Sequence, residues 1–78
     1  MKGDEVRRIA ILAIKEEARR RPREMVYIGH RGFTFTEVAE GVEKGDPFLV
    51  ENFLEPFLDM LEKSETLRRK VLELVGGR

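Results

Sequence analysis

The sequence predicts one small domain that is mainly α-helical with one β-hairpin, an α+β fold in the order helix, β-hairpin, short helix, long kinked helix, C-terminal helix. Apolar residues recur at helical spacing along three stretches, which predicts amphipathic helices. A β-branched and aromatic stretch beside a glycine-flanked loop predicts the hairpin. The chain has 78 residues, a length typical of one domain, so residues 1–78 are treated as one unit.

The first helix is expected over residues 5–20, with Asp4 as its N-cap and Pro22 as its stop. Residues 1–3 are expected to be frayed. The apolar arc spans more than half of the helix circumference between Ile9 and Ile14, whereas a surface helix needs a stripe only a little wider than 100°. We therefore expect cover on two sides of this helix, and a second copy of the chain is a candidate for one of them.

The hairpin is expected to pair Met25–Ile28 with residues 33–35, joined by the loop Gly-His-Arg-Gly at residues 29–32. The loop glycines are expected to adopt positive φ angles. An isolated two-stranded hairpin is only marginally stable in water. We therefore expect one of its faces to pack on helices, or its edge to pair with a partner strand.

A short helix is expected over residues 37–43, with Thr36 as its N-cap. Thr34 and Glu37 have the spacing of a capping box and define a second candidate start. Lys44 and Gly45 are expected to end the helix, with the glycine in a left-handed conformation. Its inward residues are predicted to be Val38, Ala39 and Val42.

The long third helix is expected to open with Asp46 as N-cap and Pro47 at its first position. The apolar face keeps its phase through Pro56, which favours one helix kinked there over two shorter helices. The predicted apolar face comprises Leu49, Val50, Phe53, Leu54, Phe57, Leu58, Met60 and Leu61.

The last helix is expected over residues 65–75, with Ser64 as its N-cap and Gly76-Gly77 as its end. Its inward residues are predicted to be Leu67, Val71, Leu74 and Val75.

The charges cancel overall but are unevenly distributed. Residues 1–35 carry nine Lys/Arg against five Asp/Glu, residues 36–62 carry one against eight, and residues 63–78 carry five against two. This basic, acidic, basic order can be neutralised within the fold or across a dimer, and solvated faces are the simpler interpretation.

The composition excludes several classes of site and indicates a heat-adapted source. Cysteine is absent and there is one histidine, so disulfides, thiolate metal sites and histidine-rich metal sites are excluded, and no cofactor or metal is expected. Glutamine is also absent and Asn52 is the single asparagine. Heat-adapted proteins favour charged networks and avoid thermolabile residues, so we expect a thermophilic source. A high-GC genome is the alternative.

The expected location is the cytoplasm. No apolar run reaches the roughly 20 residues that a membrane span requires, and no cleavage pattern of a signal peptide is evident.

The loop around His30 has two interpretations. His30 could act as a base or ligand with Arg31 binding an anion, but catalysis needs a second positioned group. The one serine of the chain, Ser64, is explained as a cap. Glycine-flanked polar residues are typical of a turn. We favour the turn and expect no enzymatic activity.

A basic cluster is a candidate patch for anions or nucleic acid. It comprises Arg19, Arg20, Arg21, Arg23, His30 and Arg31. Such a patch can bind phosphates without sequence specificity, and Tyr27 could stack on a base if its ring faces outward. The alternative is that the arginines pair with the acidic helix, and the zero net charge favours that alternative.

The function that the sequence favours is protein–protein contact. The helices together carry more apolar surface than a small monomer usually hides, and a symmetric dimer with a shared helical core would cover it. We expect a homodimer or assembly component, with nucleic-acid regulation as the alternative. The candidate interface residues are Ile11, Ile14, Phe53, Phe57 and Leu61.

Overall fold

The structure, a computed structural model, describes residues 3–76 and confirms the predicted fold class. A two-stranded antiparallel sheet lies between the first helix and the remaining helices in chain order. The elements are α1 (Gly3–Arg20), β1 (Met25–Ile28), β2 (Arg31–Thr34), α2 (Phe35–Lys44), α3 (Pro47–Leu49), a π-helical turn (Val50–Leu54), α4 (Glu55–Lys63) and α5 (Glu65–Val75).

Helix α1 supplies the centre of the core. Val6, Ala10 and Ala13 are at most 4% exposed, as the apolar stripe predicts. Helices α2, α4 and α5 all pack against α1. Leu12 stays 42% exposed, and Ile9 and Ile11 are half-buried, so the chain covers only part of the predicted apolar arc.

The start of α1 differs from the prediction. Gly3 and Asp4 are already helical, so Asp4 lies in the first turn, where its charge faces the positive end of the helix dipole, and it is not the N-cap. Gly3, expected to be frayed, belongs to the helix. Residues 1–2, also expected to be frayed, lie outside the described residues.

The hairpin turn is shorter than the predicted loop. Ile28 pairs with Arg31, so only Gly29 and His30 connect the strands. Gly29 has a φ of 64°, and no non-glycine residue among residues 3–76 has a positive φ. A positive φ at the first central residue alone is the type II′ pattern, which matches the twist of paired strands. Gly32, expected in the loop, therefore lies in β2.

The start of α2 is the second candidate of the sequence analysis and not the first. The backbone N–H of Glu37 donates to Thr34 Oγ1 over 3.1 Å, and the N–H of Thr34 donates to Glu37 Oε1 over 2.8 Å. This reciprocal pair is a capping box. Thr36, the other candidate cap, donates its hydroxyl to the carbonyl of Pro22 over 3.2 Å. Phe35 consequently begins the helix and does not extend β2.

The connection from α2 to α3 confirms the local prediction. Gly45 is left-handed with a φ of 81°, and the N–H of Asp46 donates to the Gly41 carbonyl over 2.8 Å, as in a Schellman ending. The Asp46 carboxylate then accepts from the N–H groups of Phe48 and Leu49 over 2.9 and 3.2 Å. Pro47 occupies the first turn.

The long helix contains a widened turn before Pro56. The chain stays helical from Pro47 to Lys63, and Glu55 N–H donates to the Val50 carbonyl five residues earlier. Proline lacks an N–H, and its ring crowds the carbonyl four residues before it, which belongs to Asn52. A π-helical turn around Asn52 relieves both conflicts, and the alternative of two separate helices is not observed.

Helix α5 begins as predicted, because Ser64 Oγ accepts from Leu67 N–H over 3.1 Å. It ends at Val75, and Gly76 has an ordinary negative φ of −73°. Val71 of α5 is 5% exposed against the core. None of the helices within residues 3–76 is both long enough and apolar enough to cross a membrane.

Candidate interaction surface

An apolar groove of about 480 Å³ opens between α1, the π-helical turn with α4, and α5. Ile14 and Val71 form part of its floor and are 3% and 5% exposed. Three lining side chains are polar or charged, and the rest are apolar. The lining comprises Ala13, Ile14, Glu17, Phe35, Asn52, Phe53, Pro56, Phe57, Met60, Leu67, Lys70, Val71 and Leu74.

The exposed wall of the groove comes from the π-helical turn and α4. Phe53 and Phe57 are half-buried, and Met60 is 53% exposed. Phe53 is held by an edge-to-face contact with Phe35, with ring centroids 6.1 Å apart, an arrangement that aromatic pairs prefer. Phe35 can make this contact because it starts α2. The wall therefore depends on the capping box that ends the hairpin.

The polar groups of the groove have distinct settings. Glu17 lies on α1, and its carboxylate is 3.9 Å from Arg21. Asn52 donates its side-chain N–H to the Phe48 carbonyl over 2.9 Å. Lys70 is exposed on α5, and it forms no ion pair among residues 3–76. The two walls thus carry opposite charges, Glu17 on one and Lys70 on the other.

The structure separates the candidate interface residues into three places. Phe53 and Phe57 line the groove and remain accessible, whereas Ile14 lies at its floor. Leu61 is 2% exposed inside the core. Ile11 is half-buried on a different surface of α1.

Met60, predicted on the apolar face of the long helix, is exposed on the rim of the groove. A helical wheel ranks residues by angle alone. It cannot show that α5 packs against α4 on only one side of the apolar face.

The arginines at the end of α1 are paired within their own neighbourhood. Arg19 and Arg20 both bond Glu16, the latter over 3.3 Å. The Arg19 hydrogen bond holds the pKa of Glu16 below its usual value of 4.5, and the same bond raises the pKa of Arg19. Arg21 lies 3.9 Å from Glu17 and 3.4 Å from Glu24.

Ion pairing with the acidic helix, the alternative in the sequence analysis, therefore occurs elsewhere. Lys15 pairs with Glu43 over 2.7 Å and joins α1 to α2, and Arg7 pairs with Glu55 over 3.4 Å and joins α1 to α4. Arg23 forms no ion pair within the described part of the chain.

The rest of the basic cluster is spread around the hairpin. The Arg31 guanidinium lies 4.9 Å from the Phe33 ring centroid and 4.3 Å from that of Phe48, which are favourable cation–π distances. His30 is exposed at the turn, and Tyr27 is 73% exposed on the outer face. The Tyr27 ring faces outward, which is the orientation that stacking on a nucleic-acid base requires.

Within residues 3–76, no group of three or more histidine, aspartate or glutamate side chains is placed to hold a metal ion. No family model, curated protein or solved structure matches the chain.

Proposed function

We propose that the chain is a small, non-enzymatic protein–protein interaction component that pairs with a second copy of itself through the apolar groove. The observation that carries this proposal is the half-buried pair Phe53 and Phe57 beside the exposed Met60. A contiguous patch of large apolar side chains that stays accessible to solvent usually marks an interaction surface. The lining is mainly apolar, which supports a role in binding.

The total surface area supports a partner. The chain exposes 5580 Å², whereas monomers of 9.1 kDa expose about 4900 Å² by the empirical relation between mass and area. The chain therefore exposes more area than an average monomer of its mass, as expected if a partner covers part of that area.

The charges around the groove favour a second copy as that partner. A two-fold axis near the groove can place Lys70 of each copy opposite Glu17 of the other, because a symmetric interface uses the same patch twice. The net charge of zero removes long-range repulsion between copies. We also propose that the protein is cytoplasmic and comes from a thermophilic source.

The experiment compares two substitutions that add the same charge at equal exposure. Met60→Glu places a carboxylate on the groove rim, and Leu72→Glu places one on α5 outside the groove lining, where Leu72 is 50% exposed against 53% for Met60. Sedimentation velocity should show a dimer for the unmodified chain and for Leu72→Glu, and a monomer for Met60→Glu. Equal dimer fractions for both variants would remove the groove from the interface.

Nucleic-acid regulation through Arg19–Arg31 remains a second candidate because Tyr27 is exposed and Arg23 has no ion-pair partner among residues 3–76. It requires binding that weakens steeply as salt increases. Absence of any shift of single-stranded RNA or DNA at low salt would reject it.

A further inference from the structure

The hydrogen-bond phase of the hairpin determines which backbone groups point outward. The N–H of Phe35 donates to the Glu24 carbonyl over 2.9 Å, so the position before Met25 is a bonded pair. Bonded and non-bonded pairs alternate along an antiparallel ladder. The pairs Met25–Thr34 and Tyr27–Gly32 are therefore non-bonded, and their N–H and C=O groups point away from the partner strand.

The edge of β2 is partly closed by the chain itself. The outward N–H of Thr34 is taken by Glu37 Oε1 over 2.8 Å, and α2 begins directly after it. Helix α2 packs against both strands. On the outer edge of β2, Gly32 is therefore the one residue whose backbone N–H and C=O both remain available.

The edge of β1 is open. Within residues 3–76, no hydrogen bond engages the outward N–H groups of Met25 and Tyr27. A strand edge with such groups is a template for another strand. The open edge is therefore defined here as the backbone of Met25 and Tyr27.

An apolar platform covers the outer face of the hairpin. Met25 is 45% exposed and Tyr27 is 73% exposed on the outer face. Both side chains reach over Gly32, where a Cβ would lie 3.1 Å from Tyr27 Cε1 and 3.2 Å from Met25 Cε. An added strand would place its alternate side chains against this platform, as in β-strand addition.

The charges flanking the open edge select its occupant. Arg23 precedes β1 and forms no ion pair among residues 3–76, whereas the nearby Glu24 is occupied by Arg21. In the symmetric pairing of two copies, Met25 of one would face Tyr27 of the other. That register brings Arg23 beside Gly29 and His30 of the other copy, and neither residue offers it a carboxylate. An acidic segment has the complementary charge.

We propose that the open edge of β1 binds an extended segment of another protein in which alternating apolar residues are flanked by aspartate or glutamate. Its outward backbone groups pair with Met25 and Tyr27, its apolar side chains cover their side chains, and an acidic residue at its end meets Arg23. This surface is separate from the groove, so the proposal does not depend on self-association.

The test uses three labelled peptides with the full-length chain. Each has a core of alternating valine and threonine, flanked by aspartate, serine or lysine, and binding is followed by fluorescence anisotropy. The aspartate peptide should bind most tightly and the lysine peptide least. Arg23→Ser should reduce that preference.

Two substitutions at Met25 isolate the backbone contact. Met25→Ala and Met25→Pro both remove the side chain, but only proline removes the outward N–H, and the hairpin ladder does not use that N–H. The aspartate peptide should bind Met25→Pro about tenfold more weakly than Met25→Ala. Circular dichroism checks that both variants fold.

Hydrogen exchange on the unmodified chain gives an independent readout. The amides of Met25 and Tyr27 should exchange rapidly in the free chain and slowly when the aspartate peptide is bound. The proposal is overturned if no peptide binds, if the flanking charge makes no difference, or if proline and alanine variants bind equally. Dissociation of a dimer by Met25→Pro would assign the edge to a second copy, and binding of single-stranded DNA in place of any peptide would assign it to nucleic acid.

Discussion

Gly41→Ala tests the packing of α2 against α3. A Cβ at position 41 would overlap Leu49 Cδ1 and lie 3.4 Å from Leu49 Cγ. Leu49 is 4% exposed, so core neighbours restrict its movement. Overpacking costs about 1–3 kcal/mol, whereas alanine is favoured over glycine by about 1 kcal/mol in a helix interior. We expect a net loss of about 1 kcal/mol in the free energy of unfolding.

The same substitution in a Leu49→Val background separates these two effects. Valine has no δ carbon, so the overlapping atom is removed while most of the side chain remains. Gly41→Ala should then raise the free energy of unfolding by about 1 kcal/mol. Urea unfolding of the four proteins should give a coupling of about 2 kcal/mol. An equal gain from Gly41→Ala in both backgrounds would refute the described contact between Gly41 and Leu49.

Three further predictions concern the capping box, an ion pair and heat stability. Thr34→Ala should lower the free energy of unfolding by about 1 kcal/mol because Glu37 loses its cap, whereas Thr66→Ala on the exposed face of α5 should change it by less than about 0.5 kcal/mol. The lowered pKa of Glu16 stabilises the fold above the unfolded pKa, and this contribution is lost as the pH falls through the folded value. Urea unfolding should therefore show that the free energy of unfolding falls less between about pH 6 and about pH 3 for Glu16→Gln than for the unmodified chain. An equal fall in both proteins would mean that the bond between Glu16 and Arg19 does not contribute to acid sensitivity. Calorimetry should give a Tm above the range of about 45–65 °C that is usual for mesophilic domains, and a Tm within that range would contradict the thermophilic source.

Elements set by neighbouring residues were predictable from the sequence. Gly45, Asp46 and Ser64 each act on backbone groups within a few residues, so local composition is sufficient to identify them. The burial of Val38 and Val42 follows from helical spacing in the same way. These signals established the fold class and the order of the elements.

The places where the prediction failed depend on contacts between distant segments. Thr36 and Thr34 are both acceptable caps in isolation. Thr34 is the N-cap because the hairpin ends at Thr34 and Phe35 packs on Phe53. The π-helical turn before Pro56 was missed because the wheel keeps its apolar phase through the proline.

The groove could be predicted only in part. Its aromatic residues were recognised as an apolar surplus, but helical phase alone could not show which of them the chain covers. Leu61 is covered inside the core, whereas Met60 one residue earlier is left on the rim. That division depends on where α5 docks against α1 and α4. The ion pairs of Arg19–Arg21 with glutamates nearby in sequence were equally undetermined, because the acidic helix was an alternative partner.

Solution mass measured by light scattering across a dilution series tests the central claim most directly. The proposed function predicts a mass of about twice the 9.1 kDa of the single chain, falling toward that value as the dimer dissociates on dilution. A mass of one chain at every concentration would contradict self-association through the groove.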